Sequence, residues 1–297
     1  MGLRRHEIIG GQSAAVAPGR SCQAAAVRLA TWNVNSVNAR LPRLLDWLAR
    51  VSPDVCCLQE TKSADAAFPT AQVGQLGYVV AHHGDGRWNG VAILSRVGLD
   101  DVRRGLPADP LGDAAEARCV AATCAGLRVY SVYVPNGRAL DDPQYPYKLA
   151  WLASLQQALA TAHGPADRVV VCGDFNVAPS DADVWDPVLF VGSTHVSAAE
   201  RAALAALTAL GLRDVVRDRH PEPEPVYTYW DYRAGAFHRR MGMRIDLVLA
   251  SEPVAAGVRD VYVDREARKG KGPSDHAPVV VDLDCRRHGR RGSTSRS

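Results

Sequence analysis

The chain has 297 residues, 47% hydrophobic and 23% charged, and its 35 Lys+Arg against 32 Asp+Glu give a formal net charge of +3. This is the composition of a globular chain with a real core, and it excludes collagenous, low-complexity and disulfide-stapled classes. No stretch approaches the roughly 18 consecutive apolar residues of a membrane span. The basic excess lies at the ends: residues 285–297 carry +5 and residues 1–27 carry +2, which leaves 28–284 at −4.

Residues 1–27 lack the apolar run of a secretory signal and read, like the Arg-rich 285–297, as a disordered extension. VRLATWN (27–33) reads as a buried strand. Leu41, Leu44, Leu45 and Leu48 then recur at helical spacing, with Pro42 placed in the first turn of that helix. Strands follow at Asp54–Leu58 and Gly90–Arg96, and ARCVAATC and LRVYSVYV flank Ala125-Gly126 as a hairpin. Pro143 to His163 reads as a helix closed by Gly164, and RVVVCGDFN (168–176) as a buried strand that runs into a polar loop. Ser197 and Glu200 form a capping box that opens a helix expected to reach Gly211. VYTYW, RIDLVLAS, VRDVYVD and HAPVVVDL complete the set as strands.

About nine or ten strands with three or four helices, and no linker between 28 and 284, point to a single mixed α/β domain. Two mixed sheets packed together with helices outside fit this order. The cysteines (Cys22, Cys56, Cys57, Cys119, Cys124, Cys172 and Cys285) form no CxxC pair and sit mostly in apolar runs. They read as reduced thiols of a cytoplasmic protein.

A recurring pattern carries the chemistry: an apolar strand that runs out into Asn, Asp, Glu or His. Asn33 with Asn35, Glu60, Asp174 with Asn176, Asp246, and Ser274-Asp275-His276 are such positions. Packed strands bring their ends together, so about four carboxylates are expected in one pocket, a costly arrangement without a cation. Oxygen donors suit a hard divalent ion, Mg²⁺ or Mn²⁺. Such an ion with a His and a carboxylate is equipment for phosphoester hydrolysis. Trp230, followed by Asp231, Tyr232 and Arg233, fits a nucleic-acid surface or a core strand equally well from spacing alone. The remaining histidines, among them His82, His83, His163, His195, His220 and His238, read as surface or structural.

RLATWNVNSV, PDVCCLQETK, WNGVAILSR, YVPNG, GDFNVAPSDADVW, YTYWDY, GMRIDLVLAS and PSDHAPVVVDL, in this order over residues 28–283, resemble the exonuclease III family of apurinic/apyrimidinic (AP) endonucleases. That family lies within the endonuclease/exonuclease/phosphatase superfamily. The resemblance implies a four-layered α/β sandwich and Mg²⁺-dependent cleavage on the 5′ side of an abasic site, with a 3′-hydroxyl and a 5′-deoxyribose phosphate as products. It also implies 3′→5′ exonuclease and 3′-phosphatase or phosphodiesterase activity on blocked ends of double-stranded DNA, and a monomer.

By the same resemblance Glu60 is the principal metal ligand, with Asn33, Asp275, Asp174, Asn176 and His276 about the ion. Asp174 activates water or protonates the leaving oxygen, and Asn176 orients it. His276, held by Asp246, contacts the scissile phosphate together with Tyr133 and Asn136. Arg138 and Arg233 press into the DNA grooves, and Trp230, Met243 and Tyr229 wall an abasic-sugar pocket. Arg239, Arg240, Lys269 and Lys271 add local basic character. Asn35 stands where animal members carry an aspartate, which bears on a second metal. Two other readings are a phosphatase acting on phosphoinositides or small phosphoesters, disfavoured by the residues about Asp246, and a non-catalytic DNA-binding module.

Overall fold

The computed structural model describes residues 26–284; the expected terminal extensions, with Cys22 and Cys285, lie outside the described residues apart from Ala26 and Val27. Among the described residues the strands are β1 (Val27–Asn33), β2 (Val55–Gln59), β3 (Val79–His83), β4 (Val91–Ser95), β5 (Asp100–Arg104), β6 (Cys119–Cys124), β7 (Leu127–Tyr133), β8 (Val169–Asp174), β9 (Leu212–Asp214), β10 (Asp246–Ser251), β11 (Val258–Val263) and β12 (Val279–Leu283). The α-helices are α1 (Val37–Val51), α2 (Thr70–Gly74), α3 (Gln144–Ala162), α4 (Ala198–Thr208), α5 (Val215–Arg219) and α6 (Glu252–Ala255). The strands form two six-stranded sheets, ordered β11-β12-β1-β2-β4-β3 and β5-β6-β7-β8-β10-β9. Each is antiparallel except for one central parallel pair, β1 with β2 and β7 with β8.

Continuous burial of the central strands follows from having apolar neighbours on both faces. Between the sheets, Leu29, Cys57 and Ile93 share a core with Val129, Val170, Cys172 and Val248. On the outer face of the first sheet, Leu44, Trp47 and Leu48 of α1 pack over Ala30, Trp32 and Leu58. On the outer face of the second, Trp151, Leu152 and Leu155 of α3 pack over Val132, Val171 and Leu249. The result is the expected four-layered sandwich.

Three edge strands, β3, β5 and β9, were not expected from the sequence. An edge strand such as Asp-Asp-Val-Arg-Arg (β5) needs little apolar patterning, and its charges blunt an otherwise sticky edge. Helix α1 opens earlier than expected, capped by Ser36. Pro42 therefore sits in its second turn and removes an internal hydrogen bond that a first-turn proline would have spared. Helix α4 carries the expected capping box but ends at Thr208, short of Gly211.

VYTYW is not a ladder strand. Thr228 N and Tyr229 N donate to Met243 O, Trp230 N to Asp275 O, and Ala277 N to Thr228 O. The segment thus stitches the approach to β10 in one sheet to the approach to β12 in the other. Strand β10 starts at Asp246 rather than at Arg244, so Asp246 opens the strand.

Candidate functional site

The ends of β1, β2, β7 and β8 and the beginnings of β10 and β12 converge at one end of the sandwich. Antiparallel register sets Asp246 directly opposite Asp174, and parallel register sets Tyr133 beside Asp174. Gly173 makes the second pairing possible: a Cβ built there would lie 2.0 Å from Val132 O, and its φ is +147°. Past the strand ends, Asn35, Glu60, Lys62 and Asn176 all take positive φ. Backbone strain of this kind, uncommon in residues with a side chain, gathers where side chains must be aimed.

Asn33 Nδ2 donates to Glu60 Oε1 and to Asp174 Oδ2, both at 2.9 Å. His276 Nδ1 meets Asp246 Oδ2 at 2.7 Å, while its Nε2 lies 3.8 Å from Asp174 Oδ2. Glu60, Asp174 and His276 each offer one ligand atom within 4.8 Å of the others. Lys62 Nζ bridges Glu60 Oε2 (2.9 Å) and Asn35 Oδ1 (2.7 Å), and Asn35 Nδ2 donates to Asp275 Oδ1 at 3.1 Å. Asn176 takes a hydrogen bond from Asn136 Nδ2 at 3.1 Å, and its backbone N–H donates to Asp174 Oδ1 at 2.9 Å.

Of the six residues that the resemblance places about the ion, Glu60, Asp174 and His276 present ligand atoms to one another, while the other three are engaged as follows. Asn33 turns its amide nitrogen to the carboxylates, and its oxygen accepts from Asn35 N at 3.0 Å, so it orients ligands. Asn176 Oδ1 is engaged by Asn136, and Asp275 lies outside the three-residue cluster, its carboxylate tied to Asn35 and Ser274.

The charges respond to this crowding. Burial lifts Asp174 to about 7, assisted by Asp246 and Glu60 and opposed by His276. Burial disfavours the His276 imidazolium, yet Asp246 and Asp174 overcome it and raise the group to about 10. With no cation bound, His276 is therefore an imidazolium at neutral pH, with an N–H on each ring nitrogen. Burial also works against ionised Glu60, but Lys62 and the Asn33 amide hold its pKa below the ordinary value. Tyr133 is pushed well above the phenol range by burial, then by Glu60 and Asp174, and remains a neutral donor.

These residues fit a hard cation. Asp246 Oδ1 is buried without a hydrogen-bond partner, and the raised Asp174 marks a cluster short of positive charge.

Beside the cluster lies a cavity of about 260 Å³ walled by Trp185, Phe190, Tyr229, Met241 and Met243, with Arg233 at its edge. Tyr229 joins it to the cluster, its ring centroid 5.0 Å from that of His276. Trp230, expected in this wall, is only 1% exposed and packs with Ala236, Phe237 and Ala277 instead. Consecutive residues of an extended segment point to opposite sides, so Tyr229 in the wall sends Trp230 into the core. Arg138 and Arg233 lie exposed on flanking loops, the latter paired with Asp231 at 2.7 Å.

Behind Asn136 and Asn176 lies a buried pair that the sequence reading missed. Lys148 Nζ donates to Glu200 Oε1 (2.5 Å), Asn176 O (2.6 Å) and Asn136 O (3.1 Å), with neither side chain of the pair exposed to solvent. His195 has a structural role here, contacting Asn176 O through Nδ1 at 2.6 Å. A signal was present: Lys148 shares the α3 face of Trp151, Leu152, Leu155 and Leu159. A lysine on such a face needs a buried partner.

The endonuclease/exonuclease/phosphatase family model matches residues 30–276. The exodeoxyribonuclease III of Haemophilus influenzae is 33% identical over 271 residues, covering 86% of this chain and 100% of that protein. Among solved structures, an AP endonuclease from Archaeoglobus fulgidus is 39% identical with a TM-score of 0.84, covering 87% of this chain and 99% of its own. The 3′ phosphatase NExo from Neisseria, bound to a product DNA hairpin, is 43% identical with a TM-score of 0.83 and the same coverage. The chain belongs to the endonuclease/exonuclease/phosphatase family. Within it, the chain is an enzyme of the exodeoxyribonuclease III type, a nuclease. No helix among the described residues is long and apolar enough to cross a membrane.

Proposed function

We propose that this chain is a DNA-repair AP endonuclease, formed by a single catalytic domain over 28–284, that cleaves the phosphodiester 5′ to abasic sites in double-stranded DNA. It also trims blocked 3′ ends as an exonuclease and 3′-phosphatase or phosphodiesterase. It acts as a cytoplasmic monomer with Mg²⁺, for which Mn²⁺ can substitute. The observation that carries the reading is Tyr229, which walls the apolar cavity and touches His276. A sugar without its base can enter such a cavity next to the phosphate-cleaving groups, where an intact nucleotide is excluded.

Glu60 and Asp174 would hold the cation, oriented by Asn33. Bound there, it supplies positive charge to the phosphoryl oxygens as negative charge grows on them. His276 Nε2–H faces the same oxygens as a fixed cationic donor, kept charged and in place by Asp246. Asp174, which a bound cation would keep ionised, is placed to take the proton of the attacking water. Asn136, Asn176 and Tyr133 complete the donors around the phosphate, and Arg138 and Arg233 grip the flanking duplex. Incision of matched abasic, nicked and 3′-phosphate duplexes by one preparation tests the reading. Cleavage 5′ to the abasic site leaving a 3′-hydroxyl is expected; faster turnover of soluble inositol phosphates than of abasic DNA would overturn it.

A further inference from the structure

Next to the apolar cavity, and sharing Asp231 and Ala236 with it, is a second cavity of about 440 Å³. Its walls include Tyr232, Phe237, His238, Arg268 and Lys269. Arg268 is unusual in this setting: it is 6% exposed, and among the described residues no carboxylate lies within ion-pair distance of it. Its Nη2 donates to Trp230 O at 2.8 Å, whereas Nε is buried without a hydrogen-bond partner. Its guanidinium faces the Tyr232 ring at 5.1 Å and the Phe237 ring at 5.3 Å. A buried guanidinium normally meets an anion that spans two of its donors, because leaving it unpaired is costly.

The surroundings leave that role open to a ligand. Asp231, the one acid in the cavity wall, is engaged by Arg233 at 2.7 Å. Carbonyls that could have crowded the mouth are drawn elsewhere: Arg43, which does not line the cavity, takes Ala267 O at 2.9 Å, Lys269 O at 2.5 Å and Lys271 O at 3.0 Å. Burial depresses the pKa of Arg268; Tyr232, Asp275 and Tyr229 oppose the shift without reversing it, and Arg43 adds to it.

We propose that the Arg268 cavity is a binding site for a second backbone phosphate of the DNA, distinct from the phosphate that is cut. The site reads no sequence; it fixes the register of the duplex so that the lesion falls at the Tyr229 cavity. This inference rests on the DNA-repair reading above.

Binding of a duplex with a stable abasic analogue, measured in EDTA over a series of salt concentrations, tests it. Replacing Arg268 by Gln should lower the magnitude of the slope of log K against log salt by about one. It should also weaken binding about tenfold at moderate salt, the loss of one charge-assisted contact. Arg268→Lys should keep the slope, and kcat on saturating substrate should hold in both variants. Should Arg268→Gln fail to fold, Lys269→Ala, an exposed position of the same wall, must itself reduce the slope. An unchanged slope in a folded variant overturns the proposal, as does weaker binding at constant slope, which would mark a stacked base. Wild-type protein assayed in parallel separates the two readings: no incision of abasic DNA defeats the function, whereas incision with an unaltered variant slope defeats only the phosphate site.

Discussion

Lys148 and Glu200 are both fully buried, and cutting the pair from either side has unequal consequences. Glu200 without Lys148 still accepts from Thr194 Oγ1 (2.7 Å), His195 N (2.9 Å), Ser197 N (3.0 Å) and Ser197 Oγ (2.7 Å). It also sits in the first turn of α4, where the helix dipole favours negative charge. Lys148 without Glu200 is left with neutral oxygens alone, namely Asn136 O, Asn176 O and Thr194 Oγ1. Losing one partner of a buried pair costs about 3–5 kcal/mol, so Lys148→Met belongs at the low end and Glu200→Ala at the high end. The double variant should be less destabilised than the sum of the singles by about 1–3 kcal/mol, since neither charge remains. Urea unfolding of the full chain gives these values as shifts of the midpoint at constant slope. Because Lys148 holds the carbonyls of Asn136 and Asn176, Lys148→Met should also lower kcat, with KM little changed, as those side chains lose their aim. Additive single effects, or a Lys148→Met protein with wild-type midpoint and kcat, would refute this reasoning.

Asp246→Asn removes the carboxylate that does most to hold His276 protonated, so the alkaline limb of kcat/KM should fall from about 10 toward the ordinary imidazole range; an unmoved limb contradicts the assignment. His276 favours the folded state while protonated, so this contribution is fully present below the unfolded imidazole value and fades as pH rises through about 10. Asp174 is linked to pH in the same direction, since its folded pKa of about 7 also exceeds the unfolded value: folding is favoured with the carboxyl protonated and is penalised increasingly as pH rises from the ordinary carboxylate range through about 7. Mg²⁺ at a hundredfold excess over its Kd should therefore stabilise the fold by about 2.7 kcal/mol, and at a fixed concentration it should raise the Tm more at pH 8 than at pH 6. A Tm indifferent to the ion at both values would count against the cluster as a metal site. Gly173→Ala drives a Cβ to 2.0 Å from Val132 O and should destabilise by about 3 kcal/mol or more, with activity lost; a variant with wild-type unfolding midpoint would show that the close approach is not needed.

The layered fold and the meeting of polar strand ends were legible because both follow from periodicity: central strands are apolar throughout, and the first polar residue marks where the core stops. Asn33, Glu60, Asp174, Asp246 and His276 all converge for that reason. What the sequence hid depends on contacts between distant segments. The VYTYW segment has strand-like residues but bonds across two sheets, so the burial of Trp230 and the role of Tyr229 emerge only in three dimensions. Glu200 is accounted for in the sequence as a capping residue, whereas its ionic partner, Lys148, lies 52 positions away. Trp185 and Phe190 reach the cavity from just before, and the end of, a single 3₁₀ turn (Pro187–Phe190), too short to show a period in the sequence. The charge balance gained meaning too: the net −4 of residues 28–284 includes the carboxylates of the cluster itself.

In the proposed function, Glu60 and Asp174 form a cation-dependent centre that cuts DNA beside an abasic sugar. Single-turnover incision of a duplex carrying one abasic site, with Mg²⁺ and with EDTA, tests it most directly in the wild type and in Glu60→Ala and Asp174→Ala. The expected result is 5′-side incision that EDTA abolishes and that each substitution lowers by at least about a hundredfold. Incision at the wild-type rate in EDTA, or in folded protein lacking either carboxylate, would contradict it.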